Sequence, residues 1–262
     1  MSVFPVNKIY NSVPESFKST LKKLYCVKHR SALRMRAWDF QRRYEAPINP
    51  LTLRWLDPNC IDRKVANEPL LFNTVDIPGS PMNGDWDRQT ESVEKHPYHD
   101  FFHEHFENNV PWDETAFFLQ LKGKITKSEG DETVWHSCRT IDDLYRRCQE
   151  IDSMYGFMEK NGYLTQRELA AKEDVPLGLP TGCMPPELNE VAIAISRDGE
   201  IMFADGGHRF FLSRLLDIET IPTYVLVRHT EWQSIRDTIY ASNVGVSDDI
   251  RMYIDHPDVD NS

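Results

Sequence analysis

The stretch Val191-Ala-Ile-Ala-Ile-Ser-Arg-Asp-Gly-Glu-Ile-Met-Phe-Ala-Asp-Gly-Gly-His-Arg-Phe-Phe-Leu-Ser-Arg-Leu-Leu-Asp-Ile-Glu-Thr-Ile-Pro-Thr-Tyr-Val-Leu-Val227 decides the reading of this chain. Short apolar runs at 190–196 and 200–204 read as two strands. Arg197-Asp198-Gly199 between them is a tight-turn sequence. A glycine turn, Asp205-Gly206-Gly207-His208-Arg209, then opens a helix over 208–217 with Phe211, Leu212, Leu215 and Leu216 on its inner face. Thr223 to Val227 reads as a last buried strand. A helix start carries free N–H groups and the positive end of a dipole, so it favours an anion. Gly206 and Gly207 allow close backbone approach, and His208 and Arg209 are donors suited to phosphate oxygens. A bare glycine turn is more often a simple bend capped by its Asp. The strand–turn–helix order around this one strengthens the ligand reading.

Upstream, Ser12-Val-Pro-Glu15 is a capping-box sequence that predicts a helix over 13–28, and a second, basic helix is expected over 30–43. Thr52 to Leu56 reads as a strand ended by Asp57-Pro58-Asn59. Residues 66–97 are rich in Pro, Gly, Asn and Asp and read as an irregular excursion. Helices are expected over Tyr98–Asn108 and Asp113–Lys122, with a polar loop at 123–132. Thr140-Ile-Asp-Asp143 is an N-cap signature for a helix to about Lys160, stopped by Asn161-Gly162. Leu164–Leu169 reads as extended, 172–188 as a loop, Trp232–Ser242 as a closing helix, and the acidic tail after Val246 as loose.

The 262 residues carry a net charge of −11, yet residues 1–43 hold Lys8, Lys18, Lys22, Lys23, Lys28, Arg30, Arg34, Arg36, Arg42 and Arg43 against only Glu15 and Asp39. An acidic body repels nucleic acid, so no specific DNA binding is expected. The basic segment suits peripheral contact with an anionic surface or partner. No apolar run is long enough for a transmembrane helix, and there is no apolar leader. The scattered Cys26, Cys60, Cys138, Cys148 and Cys183 form no CxxC pair, which fits a reducing cytoplasm.

The order from Leu53 to Val227 resembles the ParB/sulfiredoxin-like fold. The resemblance rests on a first strand ending in Asp-Pro with Ile61-Asp62-Arg63 after it, and on a long helix ending in Asn161-Gly162-Tyr163-Leu164. A hairpin, a "DGxHR" turn into a helix, and "IP" before the last strand complete it. It is strong over about 140–232 and weaker at 51–65. It implies an α+β domain over 49–245, with residues 1–48 as an added helical segment, an insertion at about 66–135, and a tail at 246–262. Sulfiredoxins carry a Cys before the His-Arg pair; here Gly207 stands there, which removes the reductase nucleophile. Partition proteins continue into a DNA-binding domain, whereas about 35 residues, acidic in balance, follow Val227. The free-serine kinases of this fold have an Asp-Gly-His-His-Arg turn, which Asp205, His208 and Arg209 match apart from Gly207.

The resemblance therefore implies a nucleotide, ATP or ADP with CTP as a further candidate, cradled by Gly206, Gly207, His208 and Arg209, with Arg63 beside the phosphates. Asp205 would bind Mg²⁺ or orient an acceptor hydroxyl. Asp85 and Asp87, flanking Trp86 in the insertion, could complement it, although a loop anchored by Trp86 is the plainer reading. His99 and His103 share a helix face at i, i+4, a spacing zinc accepts, but no third ligand is placed and a solvated face is favoured. The expected function is a nucleotide-dependent phosphotransferase acting on a small hydroxyl-bearing acceptor. The alternative is a non-catalytic nucleotide-dependent switch. A second carboxylate close to Asp205 would favour the first reading.

Overall fold

The computed structural model describes residues 33–66, 77–128, 132–172, 185–242 and 247–259, together with Val27 and Ser31. The fold is α+β. Strands β1 (Leu53–Leu56), β2 (Arg63–Val65), β3 (Ser80–Met82), β4 (Thr90–Ser92), β5 (Val191–Ile195), β6 (Ile201–Asp205) and β7 (Ile221–His229) form one mixed sheet in the order β1-β7-β5-β6-β2-β4. β5 takes one flank of β7 in parallel register, so β1 and β3 share the other, along successive halves of the long strand. β6 joins β5 antiparallel and β2 parallel.

Every residue of β5 and β7 is buried, as a continuous apolar run demands when both sheet faces are covered. One face carries Val191, Ile193, Ile195, Phe203 and Val225. It packs under helices α1 (Pro97–Phe102), α2 (Ala116–Ser128), α3 (Ile141–Asn161) and α5 (Gly207–Leu215). The opposite face carries Ala192, Ala194, Met202, Ala204, Tyr224 and Leu226, with Leu33 and Trp86 packed against it. Leu33 belongs to a helical stretch at 33–41, within the basic helix expected there. The capping box expected for 13–28 falls outside the described residues, apart from helical Val27.

The hairpin, the helix and the last strand of the opening stretch form as the sequence implies. α3 begins with a complete capping box between Thr140 and Asp143 and stops at Gly162. Several expectations need correction. The 66–97 segment contains two short strands, β3 and β4, whose three-residue length leaves no alternation to detect. The polar loop expected from 123 starts later, because α2 runs to Ser128. Leu164–Leu169 is not extended: Thr165 and Glu168 form a second capping box and start the short helix α4 (Gln166–Leu169).

The tail is not loose where it is described. After α6 (Thr230–Ala241) and the short α7 (Asp248–Arg251), the chain folds back. Asp258, 1% exposed, accepts from Arg228 Nε at 2.7 Å and Trp232 Nε1 at 3.0 Å, while Arg236 Nε lies 3.1 Å away. His256 Nε2 meets the Gly199 carbonyl, which ties the tail to the β5–β6 turn. No helix among the described residues is long and apolar enough to cross a membrane.

Candidate functional site

β6 ends at Asp205, and the chain passes through Gly206 at φ 90 into α5. A Cβ at Gly206 would stand 3.0 Å from Val191 Cα, so both space and backbone conformation require glycine. At Gly207 the reason is different. Its Cβ would stand 2.8 Å from the Tyr98 ring. Gly207 is therefore closed to a larger side chain by the Tyr98 ring.

The turn lines a cleft of about 260 Å³ shared by His96, Tyr98, His136, Phe203, Asp205 and His208. Tyr98 is its hub. The ring stacks on His208 at 4.7 Å and meets His96 edge-on at 4.7 Å. Its hydroxyl accepts from Trp135 Nε1 at 2.6 Å and lies 2.8 Å from His136 Nε2. His96 and Tyr98 thus build a wall of the cleft, with His136 beside them. His136 comes from a two-residue turn closed by the Trp135–Cys138 bridge, in which His136 and Ser137 hold φ of 40 and 68. Such turns favour Asn-Gly. Two ordinary L-residues there store about 1 kcal/mol or more each.

Burial keeps these imidazoles neutral. It lowers His96 to about 4, with the Lys64 charge adding to the effect. It also lowers His136, helped by Arg147, and holds His208 well below the ordinary range. His96 Nδ1 accepts the Tyr98 backbone N–H at 3.2 Å, so its ring proton sits on Nε2 and is a donor. His208 Nε2 is buried against aromatic rings without a hydrogen-bond partner. Nδ1 is the nitrogen left to face the cleft. Holding the proton there leaves a lone pair, not an N–H, unmet at Nε2, which is the less costly arrangement.

The neighbouring cations are already engaged. Arg209 bonds Glu190 Oε2 at 2.9 Å, the Tyr163 hydroxyl at 3.1 Å and the Asn189 carbonyl. Glu190 is 3% exposed, and burial pushes its carboxyl up despite that guanidinium. Arg209 thus reaches the cleft wall while serving a buried ion pair. Arg147 bonds Glu150 at 2.7 Å.

Arg63, expected beside the phosphates, instead bonds Thr90 Oγ1 across β4. Its neighbour Lys64 is in register with Phe203, so Lys64 is the β2 residue on the cleft's face of the sheet, and its Nζ lies 3.1 Å from Glu91. Period-2 alternation separates the two, and sequence alone could not set the register.

Asp85 and Asp87 are not brought to Asp205. Both bind Arg197, Asp85 at 2.8 Å and Asp87 at 2.7 Å. Arg197 lies in the β5–β6 turn, at the end of the hairpin away from Asp205. The full length of β6, about 13 Å of strand, intervenes. Trp86 anchors this loop against the sheet, the plainer of the two readings. Asp205 is exposed and has no hydrogen-bond or ion-pair partner among the described residues.

His99 and His103 lie with rings 4.5 Å apart, but each faces a carboxylate of its own helix, Asp100 and Glu107. No group of three or more metal-ligating side chains forms among the described residues. His105 stacks on Trp112 at 3.7 Å and bonds Asp152, a structural role. Sequence reasoning missed His96 and His136 as cleft residues. The only local hint was the improbable His136-Ser137 turn. Comparison of the chain with protein-family models, curated proteins and solved structures finds no match.

Proposed function

We propose that the protein binds a nucleotide, ATP or ADP in the first instance, with its phosphates at the Gly206–Gly207 turn. The observation that carries this reading is the pairing of a helix start with two imidazoles that line the same cleft, His208 and His96, the latter with its Nδ1 taken by the Tyr98 backbone so that Nε2 is a donor. Such donors, held in place by packing and partly withdrawn from water, are worth more than the same groups in solvent. The resemblance to the ParB/sulfiredoxin-like fold supports the same placement.

Asp205 is the acidic group available for phosphoryl transfer to a small hydroxyl-bearing acceptor. As an unpaired carboxylate beside the phosphate position it fits one Mg²⁺ ligand, since this ion takes one or two carboxylates and completes its shell with phosphate oxygens and water. The second reading is a non-catalytic nucleotide-dependent module, and one observation favours it: among the described residues Asp205 is the one carboxylate lining the cleft. In that reading the helix at 33–41, with Arg34, Met35 and Trp38 turned outward, is a surface for a partner or an anionic membrane.

Calorimetric titration of ATP, ADP, CTP and GTP, with and without Mg²⁺, tests the proposal on the wild type and on His208→Asn. Binding by the wild type, weakened by on the order of tenfold in the variant, is the expected result. Absence of binding to any of the four by the wild type would remove the proposal. Product formation from bound ATP that disappears in Asp205→Asn separates transfer from mere binding.

A further inference from the structure

The basic charge of this chain is segregated, and part of it lies on an exposed helix face that also shows apolar side chains. Residues 1–43 hold ten Lys/Arg against two acidic residues, so the rest of the chain carries an excess of nineteen acidic groups. The helix at 33–41 is held to the body by one side. Leu33 packs on the sheet face of Ala192 and Leu226, and Phe40 stacks on Tyr44. Just beyond the helix, Ala46 N donates to Asp237 of α6 and Arg236 donates to the Pro47 carbonyl. At 3.6 residues per turn this groups Arg34, Met35, Trp38 and Arg42 on the outer side. Met35 is 72% exposed and Trp38 59%. The Arg42 guanidinium lies 4.8 Å over the Trp38 ring. Arg34 and Arg42 are exposed and have no carboxylate partner among the described residues, whereas Arg43 pairs with Asp39. The sequence just ahead adds Lys22, Lys23, Lys28 and Arg30.

From this we infer that the outer face of the 33–41 helix docks on an anionic lipid membrane, with the acidic body standing away from it. The inference is independent of what the cleft binds. Its choice of a bilayer over a protein partner follows from the mixture of side chains. Arginine and apolar residues are interspersed on this face. In a dry protein interface each buried guanidinium needs a carboxylate of its own. At a bilayer the Trp38 ring and the Met35 side chain enter the boundary with the acyl chains, while the guanidiniums reach to headgroup phosphates. Charge also fixes the orientation. The acidic remainder of the chain is repelled by the same surface, so the helix face leads.

The test is co-sedimentation of the full chain with phosphatidylcholine vesicles and with mixed phosphatidylcholine–phosphatidylserine vesicles. The wild type is expected to pellet with the anionic vesicles and not with the neutral ones, and to be released as salt is raised. Arg34→Gln and Arg42→Gln are each expected to weaken that binding about fivefold, and Trp38→Ser on the order of tenfold. All three side chains are exposed, so these variants leave the core intact. Leu119→Ser, which changes an exposed apolar residue of α2, is expected to bind as the wild type does. Failure of the wild type to pellet with the anionic vesicles would overturn the inference. Equal pelleting with both kinds of vesicle, or binding undiminished in Arg34→Gln and Trp38→Ser, would do the same. Pelleting of the wild type without vesicles, lost in Arg42→Gln, would also overturn it and assign the face to a second copy of the chain.

Discussion

Gly207→Ala introduces one methyl group, and the structure sets two opposing terms for it. Alanine in place of glycine near a helix start lowers backbone entropy in the unfolded chain and favours the helix, a gain of up to about 1 kcal/mol. Against this, the new Cβ stands 2.8 Å from two carbons of the Tyr98 ring. Tyr98 is 8% exposed and cannot swing aside freely, because it stacks on His208 and Phe102 and its hydroxyl holds Trp135. Overpacking of this kind costs about 1–3 kcal/mol. The clash outweighs the gain, and a net loss of roughly 1–2 kcal/mol is expected. Urea unfolding should show a lower midpoint with an unchanged slope, and phosphate binding should fall because His208 moves with Tyr98. Tyr98→Leu in the Gly207→Ala background should recover part of the loss, giving a coupling energy in a double-mutant cycle. A Gly207→Ala protein more stable than the wild type, with binding intact, would refute the packing argument.

Asp258→Asn leaves the guanidiniums of Arg228 and Arg236 buried without their carboxylate; a loss of about 3–5 kcal/mol is expected, read by denaturant unfolding. Asp87 is held at about 2 by its bonds to Arg197. Its contribution of roughly 2 kcal/mol is therefore present above the ordinary carboxylate range and disappears as pH falls from about 4 toward 2. An acid titration of stability should show that loss, and Asp87→Asn should remove it. Ser137→Gly relieves a φ of 68 and should raise stability by about 1 kcal/mol, measured by thermal unfolding. Arg209→Ala strands the buried Glu190 and should cost about 3–5 kcal/mol, so a loss of ligand binding in that variant would report unfolding and not contact.

Local signals were legible where one segment contained its own answer. The capping box at Thr140, the stop at Gly162, and the sequence Val191 to Val227 each encode an element and its ends. The glycine turn from β6 into α5 was legible for the same reason. What escaped depends on residues distant in the chain. Lys64 and not Arg63 lies on Phe203's face of the sheet because of the register between β2 and β6. His96 and His136 reach the cleft because Tyr98 ties both of them to His208 of α5. Asp85 and Asp87 go to Arg197, a partner more than a hundred positions away. The tail folds down because Asp258 finds buried arginines on β7 and α6, which its acidic composition could not announce.

The central claim is that phosphate oxygens sit at the start of α5 against His96 and His208. Amide NMR of the labelled protein titrated with ATP tests it most directly. The account predicts saturable shifts centred on the N–H groups of Gly207, His208 and Arg209, accompanied by the ring resonances of His96 and His208. ATP-induced shifts that leave these groups unmoved, or no shifts at all, would contradict it.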